Sequence, residues 1–359
     1  MCALAAGGKE CKVKMKKLTV LIKPVSSLCN MHCCYCFYKD VAKNRKQINE
    51  KMSISTLTTL IDKTLSYCHH ETIIEFCFQG GEPLLAGIDF FKTFIQIVRS
   101  KNINNQIEYS IQTNGILINE EWIQLFKQNH ILIGISLDGI EQTHNDNRKL
   151  LDKGSFKQVI GAIQLLKENQ IEYNILTVVT SSLSSYAKEI YNFYKESHFK
   201  YVQFIPCLPS LNGEDGLKPR EYSSFFMTLY DQWKDDRKIH ISLFDEIESL
   251  FKGNRMCSCG MLGYCSIQIV VEANGNIYPC DFYALDDYCL GNINDSDLKD
   301  IIHSQKARMF LTEEKNFSNL CDKCRYYHIC QGNCKRQNLC MFDDDYCGYK
   351  ELLDYMKKI

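Results

Sequence analysis

Two hydrophobic periods alternate along most of the chain. Short apolar runs typical of buried strands occur at six places between residues 18 and 206, separated by stretches with apolar residues at helical spacing. The predicted strands are Leu18–Lys23, Thr72–Gln79, Gln106–Thr113, Ile131–Asp138, Glu172–Val179 and Tyr201–Pro206, and the clearest helices are 53–68, 90–99 and 156–167. Strands that alternate with helices pair in parallel. The pattern therefore predicts an α/β fold whose functional loops follow the carboxyl ends of the strands.

Polar segments follow four of these strands. They are Gln79–Pro83, Gln112–Gly115, Ser136–Gly139 and Cys207–Leu208. Since the carboxyl ends of parallel strands meet at one edge of a sheet, we expect these segments to form one rim.

Beyond about residue 240, the pattern changes to short apolar pieces among cysteines. Residues 266–278 predict a hairpin, because Asn274-Gly275 suits a tight turn between two apolar runs. We expect a first domain over residues 18–244, a second over 245–359, and a flexible, lysine-rich extension over 1–17 in which Cys2 and Cys11 are free thiols.

Composition excludes several classes of protein. With 359 residues, 45% of them hydrophobic, the chain can bury a large core, and a net charge of -1 gives no overall field that would recruit nucleic acid or an anionic membrane. No run reaches the roughly 18 apolar residues of a membrane span, and no basic segment precedes the short apolar stretch at the N-terminus. We therefore expect a cytoplasmic protein whose 20 cysteines are reduced and serve in part as metal ligands.

Three cysteines occupy the loop after the first strand. Cys29, Cys33 and Cys36 have the spacing C-x3-C-x2-C, one ligand fewer than a closed four-thiolate site requires. A zinc site closed by His32 is one interpretation, but three thiols beside aromatic residues favour an iron-sulfur cluster with an open coordination position. Cys34, between two of these cysteines, is expected to point away from the metal.

Eight further cysteines could form two closed four-thiolate sites near the C-terminus. They are Cys259, Cys265, Cys280, Cys321, Cys324, Cys330, Cys334 and Cys347. Their spacing leaves zinc and iron-sulfur clusters equally open. The plainer interpretation, buried or idle thiols, applies to Cys68, Cys77, Cys257, Cys289 and Cys340, while Cys207 lies at the rim, where contact with a substrate is an open question.

The first cysteine motif, with an aromatic residue before its last cysteine, resembles the signature of the radical S-adenosylmethionine (SAM) superfamily. In that superfamily the cluster leaves one iron open for the amino and carboxylate groups of SAM. The resemblance implies a partial (β/α)6 barrel and reductive cleavage of SAM to methionine and a 5'-deoxyadenosyl radical, which removes hydrogen from unactivated carbon.

The same resemblance implies a set of SAM contacts. Residues 80–83 resemble the glycine-rich segment that contacts the methionine amino group. The implied contacts are Tyr35, Gly80, Gly81, Glu82, Ser136, Arg148 and Leu208. The plainer interpretation is a solvated charge at a helix end for Arg148 and ordinary core packing for Leu208, but the planar fork of an arginine suits a carboxylate.

The C-terminal cysteines resemble a SPASM domain, which holds two auxiliary [4Fe-4S] clusters. By this resemblance Cys259, Cys265, Cys280 and Cys334 bind the first auxiliary cluster, and Cys321, Cys324, Cys330 and Cys347 bind the second. With the cluster at Cys29, Cys33 and Cys36, the implied total is three.

From about residue 18 onward, the chain is most similar to the anaerobic sulfatase-maturating enzymes. The similarity is carried by residues 21–24, 36–38, 78–83, 203–204 and 278–283. It implies oxidation, without oxygen, of a Cys or Ser to Cα-formylglycine in an unfolded sulfatase that carries a Cys/Ser-x-Pro/Ala-x-Arg-type motif. An electron donor such as ferredoxin or flavodoxin is implied, with no nucleic-acid or membrane partner.

Asp281 is the residue on which this specific reaction depends. It directly follows Cys280, and the similarity makes it the acceptor of the thiol or hydroxyl proton while an electron leaves through the first auxiliary cluster. Position alone favours an aspartate that accepts backbone amides in a turn, and the family similarity is what favours the catalytic role.

Three other functions are compatible with the cysteine pattern. A peptide maturase that makes thioether or carbon-carbon crosslinks would share both cysteine sets. A non-catalytic zinc-binding interaction module and an electron carrier belong to other classes of protein.

Overall fold

The computed structural model describes residues 17–46, 48, 50–68, 72–102, 104–213, 215–254 and 258–358. Of the expected flexible extension only Lys17 is described, and it begins the first strand. The expectations for Cys2, Cys11 and Cys257 lie outside the described residues.

The described residues contain thirteen strands and thirteen α-helices. The strands are β1 Lys17–Ile22, β2 His32–Cys33, β3 Ile73–Phe78, β4 Gln106–Thr113, β5 Leu132–Ser136, β6 Arg148–Leu150, β7 Lys153–Gly154, β8 Tyr173–Val179, β9 Tyr201–Pro206, β10 His240–Ile241, β11 Ile269–Val271, β12 Asn276–Tyr278 and β13 Gly291–Asn292. The helices are α1 Phe37–Lys43, α2 Ile54–Tyr67, α3 Ile88–Lys101, α4 Glu120–Asn129, α5 Glu141–Asn147, α6 Phe156–Glu168, α7 Ala187–Glu196, α8 Pro219–Trp233, α9 Ser242–Phe251, α10 Leu298–Ile302, α11 Gln305–Thr312, α12 Tyr327–Cys330 and α13 Gly348–Lys358.

All six predicted strands are present and parallel, in the order β9-β8-β5-β4-β3-β1 within a larger sheet. Helices pack on this sheet through the apolar residues that the helical spacing predicted. Phe94 of α3, for example, lies edge-on against Phe76 and Phe78 of β3 at ring distances of 5.2 and 4.9 Å. The predicted mixed α/β fold with a parallel barrel-type sheet is therefore confirmed.

The predicted hairpin also forms, and its first strand pairs with the barrel sheet, which the sequence did not predict. Gly275 adopts the left-handed backbone of its turn (φ 87°), and β11 pairs in parallel with the outer edge of β1, matching Val20 with Ile269. Lys23 continues this pairing by donating its amide to Val271 O at 2.8 Å. The C-terminal part of the chain thus extends the barrel sheet, and the boundary near residue 245 stays a prediction.

A second sheet of three very short strands connects the cysteine loop to the barrel. β2 pairs with β6 so that Cys33 lies opposite Arg148, and β6 pairs with β7. Strands of two or three residues leave no periodic signal, so the sequence did not predict this sheet. Among the described helices, none combines the length and apolar character needed to cross a membrane.

Candidate active site

The cysteine loop is held at both ends by secondary structure. It follows β1, its middle forms β2, and Cys36 is the N-terminal cap of α1. The thiols of Cys29, Cys33 and Cys36 interact electrostatically with one another. Burial raises the pKa of Cys29, and it raises the pKa of Cys33 to about 12. A bound metal cation would offset that cost, because the thiolate is the form that binds metal.

Cys34 is turned to a different partner. Its thiol donates to Asn147 Oδ1 at 3.2 Å, and its backbone amide donates to Asn147 O at 3.0 Å. This geometry agrees with the expectation that Cys34 points away from the other three thiols.

The glycine-rich segment after β3 packs closely on the loop that leads to Cys29. Gly81 and Glu82 donate their amides to Ser26 O and Leu28 O at 2.8 and 2.9 Å. A Cβ on Gly81 would lie 2.0 Å from Leu28 O, so only glycine fits there. An ammonium group only donates, so its contacts with this segment would come from the carbonyl oxygens.

The carboxylate of Glu82 is also used internally. It is fully buried and accepts from the amides of Leu84 and Asn114 at 3.0 and 2.8 Å and from the Thr113 hydroxyl at 2.8 Å. Burial raises the pKa of Glu82 in spite of these donors. The side chain therefore joins the segment after β3 to the segment after β4, which fixes this part of the predicted rim.

Arg148 belongs to a buried polar group beside the cysteine loop. Its Nη1 donates to the Tyr35 hydroxyl at 2.7 Å, and that hydroxyl donates in turn to Asp138 Oδ2. Only 7% of Arg148 is exposed, so the interpretation as a solvated helix-end charge is wrong. Among the described residues, its buried Nε has no hydrogen-bond partner, and an unpaired guanidinium donor suits the carboxylate of a ligand such as SAM.

His144 is connected to the backbone of Arg148 through the hydroxyl of Ser155. Its Nδ1 accepts from the amide of Asp138 at 3.2 Å, so Nε2 carries the proton and donates to Ser155 Oγ at 2.9 Å. Ser155 donates onward to Arg148 O at 3.1 Å. Burial, with the charge of Arg148, lowers the pKa of His144 to about 3, which keeps the imidazole neutral. Sequence reasoning missed this residue, although it lies in the same segment as Arg148.

The remaining predicted rim residues are less buried or less polar. Ser136 is half-buried and its hydroxyl accepts from Gln112 Nε2 at 3.0 Å. Leu208 is partly buried against the main core. Cys207 is only 6% exposed, and its carbonyl accepts a hydrogen bond from the buried thiol of Cys340 at 3.2 Å. The roles of these residues toward cofactor or substrate stay predictions.

The C-terminal cysteines fall into two groups by electrostatic interaction. In the first auxiliary set, which we define as Cys259, Cys265, Cys280 and Cys334, Cys280 interacts with Cys259 and Cys334, and Cys265 interacts with Cys334. In the second auxiliary set, defined as Cys321, Cys324, Cys330 and Cys347, Cys347 interacts with the other three. The structure thus brings together the groups that the resemblance implied, with Cys334 joining the first set from within the sequence of the second.

The second auxiliary set lines a largely apolar cavity. Its wall includes Leu320, Tyr327, Tyr349 and Leu353. In the part of the chain that the structure describes, no three His, Cys, Asp or Glu side chains lie close enough together to share one metal ion. An iron-sulfur cluster is larger than a single ion, and thiolates are its usual ligands.

Asp281 lies where the C-terminal part meets the barrel rim. Its Oδ2 accepts from the Tyr38 hydroxyl and from Gln79 Nε2, both at 2.8 Å, and its Oδ1 lies 2.7 Å from Lys23 Nζ. These partners are side chains from three separate barrel segments, and 8% of Asp281 is exposed. The carboxylate is therefore part of a long-range network, and the simpler interpretation as a local turn residue does not describe it.

Lys23 is the cation beside Asp281 in this network, and sequence reasoning missed its role. It is 1% exposed, and its Nζ lies 3.3 Å from Glu272 Oε1, which also accepts from Arg45 Nη1 at 2.8 Å. Burial alone would lower the pKa of Lys23, but the charges of Asp281 and Glu272 outweigh it and raise the pKa. Burial alone would raise the pKa of Glu272, but the charges of Lys23 and Arg45 outweigh it and lower the pKa. The only local signal was a lysine at the end of an apolar strand.

Comparisons with known proteins were made on the whole chain. Residues 24–193 match the family described as the Radical SAM superfamily, and residues 259–325 match one described as an iron-sulfur cluster-binding domain. The chain is 40% identical over 336 residues to the cysteine-type anaerobic sulfatase-maturating enzyme of Clostridium novyi, covering 90% of this chain and 89% of the relative. It is 30% identical to the serine-type enzyme of Bacteroides thetaiotaomicron, covering 96% of this chain and 92% of that relative.

Solved structures agree with these matches. The structure of native anSMEcpe with bound AdoMet, which is SAM, and Cp18Cys peptide superimposes with a TM-score of 0.85 at 36% identity, covering 95% of this chain and 97% of the other. Streptococcus suis SuiB bound to precursor peptide SuiA gives a TM-score of 0.64 at 15% identity, covering 89% of this chain and 72% of that one, a level that reflects a shared fold alone.

Proposed function

The chain belongs to the anaerobic sulfatase-maturating enzymes of the radical SAM superfamily, and from this premise we propose that it oxidises a cysteine in an unfolded sulfatase to Cα-formylglycine. The greater identity to a cysteine-type than to a serine-type relative supports cysteine as the preferred side chain. The substrate segment is of the Cys/Ser-x-Pro/Ala-x-Arg type. A low-potential carrier such as ferredoxin or flavodoxin supplies the first electron.

Three [4Fe-4S] clusters and SAM are the proposed cofactors. Cys29, Cys33 and Cys36 hold the first cluster, and the two auxiliary sets hold the others. When bound, these groups supply a 5'-deoxyadenosyl radical that removes hydrogen from Cβ of the target residue, and an acceptor for the second electron.

The protein's own residues bind and orient SAM. Arg148 offers its unpaired Nε to the SAM carboxylate, and its backbone is held by Ser155 and the neutral His144. The carbonyls of Gly80 and Gly81 accept from the SAM amino group. Tyr35, Ser136 and Leu208 complete the site, and Glu82 fixes the glycine-rich segment.

Asp281 is the proposed acceptor of the substrate proton, and its surroundings are the observation that carries the proposal. A carboxylate has about four acceptor positions. Tyr38 and Gln79 both donate to Oδ2, whereas Lys23 forms an ion pair with Oδ1. A position on Oδ1 is therefore available to a thiol or hydroxyl proton. A buried carboxylate requires a compensating charge, which Lys23 supplies without being able to accept the proton itself.

The test is Asp281→Asn in anaerobically reconstituted protein with SAM, dithionite and paired peptides carrying Cys-x-Pro-x-Arg or Ser-x-Pro-x-Arg. Mass spectrometry follows formylglycine, which loses sulfur in the cysteine case, and chromatography follows 5'-deoxyadenosine. We expect SAM cleavage to survive better than formylglycine formation, since the amide keeps the shape of the site but accepts no proton.

The matched control is Asp287→Asn, which changes an exposed aspartate in the same segment. It should form formylglycine at the wild-type rate. If Asp281→Asn also did so, the proton-acceptor role would be wrong. A crosslinked peptide without loss of sulfur would refute formylglycine as the product.

A further inference from the structure

Lys315 lies on the chain between α11 and the second auxiliary set, and its ammonium is enclosed by backbone carbonyls. Nζ donates to Gly263 O, to Gln331 O, and to Asn333 O at 3.0 Å. Three acceptors match the three N–H groups of an ammonium, whereas a neutral amine has only two. The three acceptors therefore favour the charged form of this lysine, while burial acts in the opposite direction and lowers its pKa.

The turn that supplies two of these carbonyls has a left-handed backbone conformation. Gln331, Gly332 and Asn333 have consecutive positive φ angles of 43°, 76° and 53°. Left-handed backbone is costly for residues other than glycine. Two of the three carbonyls that bind the ammonium belong to this strained turn, so the hydrogen bonds to Lys315 help to offset its cost.

The position of Lys315 relative to the cysteines gives it a second role. Its three acceptor carbonyls belong to residues beside cysteines of both sets, since Gly263 lies two residues before Cys265, Gln331 follows Cys330 and Asn333 precedes Cys334. Its charge accordingly interacts with Cys265 and Cys334 of the first auxiliary set and with Cys321 and Cys330 of the second.

Resting on the proposed function, which places a [4Fe-4S] cluster at each set, we propose that Lys315 is a fixed positive charge shared by both auxiliary clusters that raises the reduction potential of each. A cluster with four thiolates is anionic and becomes more negative on reduction, so a nearby cation favours the reduced state. One lysine between two clusters acts on both at once. Each cluster then becomes a better acceptor for an electron released by substrate oxidation.

The test is a redox titration of the anaerobic holoenzyme, followed by EPR in the presence of SAM, which alters the signal of the cluster that it binds. Lys315→Gln keeps a donor for the carbonyls but removes the charge, whereas Lys315→Arg keeps the charge. At a fixed ambient potential we expect the reduced-to-oxidised ratio of both auxiliary clusters to fall about tenfold in K315Q, which is about 59 mV for one electron. K315R should remain near wild type.

Lys323→Gln is the matched control. Lys323 lies in the sequence between Cys321 and Cys324 but is exposed, so water and salt screen its charge. Its removal should leave both potentials within the error of the titration. Iron and sulfide are measured on every variant beside the titration.

Several results would overturn the inference. They are unchanged potentials in K315Q with full iron content, a shift in one auxiliary cluster only, and an equal shift in K323Q. Loss of auxiliary iron from K315R as well as K315Q would show that Lys315 is a structural clamp only. Wild-type protein without auxiliary clusters would instead refute the proposed cluster assignment, and this inference with it.

Discussion

Lys23→Met removes the cation that compensates Asp281, and the structure predicts how much stability is lost. With an effective dielectric constant of about 20, the attraction of Lys23 to Asp281 at 2.7 Å is about 6 kcal/mol, and that to Glu272 at 3.3 Å is about 5 kcal/mol. Repulsion from Arg45 and the cost of burying the lysine offset much of this. Removing one partner of a buried pair costs about 3–5 kcal/mol, which is the expected destabilisation.

A double variant separates lost packing from lost charge balance. In K23M/D281N both members of the close pair are neutral, Arg45 and Glu272 still pair at 2.8 Å, and the amide that replaces the Asp281 carboxylate can still accept from Tyr38 and Gln79 through its oxygen. The double variant should therefore be more stable than K23M by about 1–3 kcal/mol, although it makes no formylglycine.

Native-state hydrogen exchange of β1 and β11 on the anaerobic holoenzyme measures these differences locally. Formylglycine and 5'-deoxyadenosine are measured in parallel, and K23M should lose the first more than the second, because the ion pairs of Lys23 are with Asp281 and Glu272. The reasoning is refuted if K23M/D281N is no more stable than K23M, or if K23M matches wild type in both exchange and formylglycine formation.

Three further variants test the SAM side of the site. Gly81→Ala places a methyl group 2.0 Å from Leu28 O and should abolish SAM binding by calorimetry, whereas Gly161→Ala, with nothing within 4 Å, should bind normally; normal binding by both would contradict the close packing. Arg148→Lys loses the planar fork and should weaken SAM binding about tenfold or more; unchanged affinity would remove Arg148 from the site. His144 has a folded-state pKa of about 3, below its ordinary 6.5, so the unfolded chain takes up the proton first as pH falls. Wild type should then lose about 2 kcal/mol of stability between pH 7 and pH 5 that His144→Gln does not lose, as compared by urea unfolding; equal losses would show that His144 is not buried as a neutral group.

The family matches also decide between the functions that the cysteine pattern left open. The non-catalytic zinc module is excluded, because residues 259–325 match an iron-sulfur cluster-binding domain. The electron carrier and the crosslinking maturase are less well supported than the sulfatase-maturating family. Relatives in that family are 40% and 30% identical to this chain over most of its length.

Local patterns in the sequence determined the six parallel strands, the clearest helices and the spacing of the first cysteine motif, whereas the division of the C-terminal cysteines into two sets came from the family resemblance. A strand shows itself by its period and a metal loop by ligand spacing, and both are properties of a few consecutive residues. The six parallel strands and the segments at their carboxyl ends therefore agree with the structure. The sequence did not show that Glu82 connects the segments after β3 and β4, because two of its donors, Thr113 and Asn114, lie at the end of a different strand.

Only the tertiary structure decided which distant residues meet. Tyr38 and Asp281 are 243 residues apart, and their hydrogen bond exists because β11 pairs with β1 and brings the C-terminal part to the barrel rim. Lys23 looks like an ordinary strand end until that pairing buries it beside two carboxylates. Lys315 likewise becomes a shared charge only when the two auxiliary sets fold around it. Such contacts depend on strand order and chain crossings, which leave no trace in the local spacing of residues.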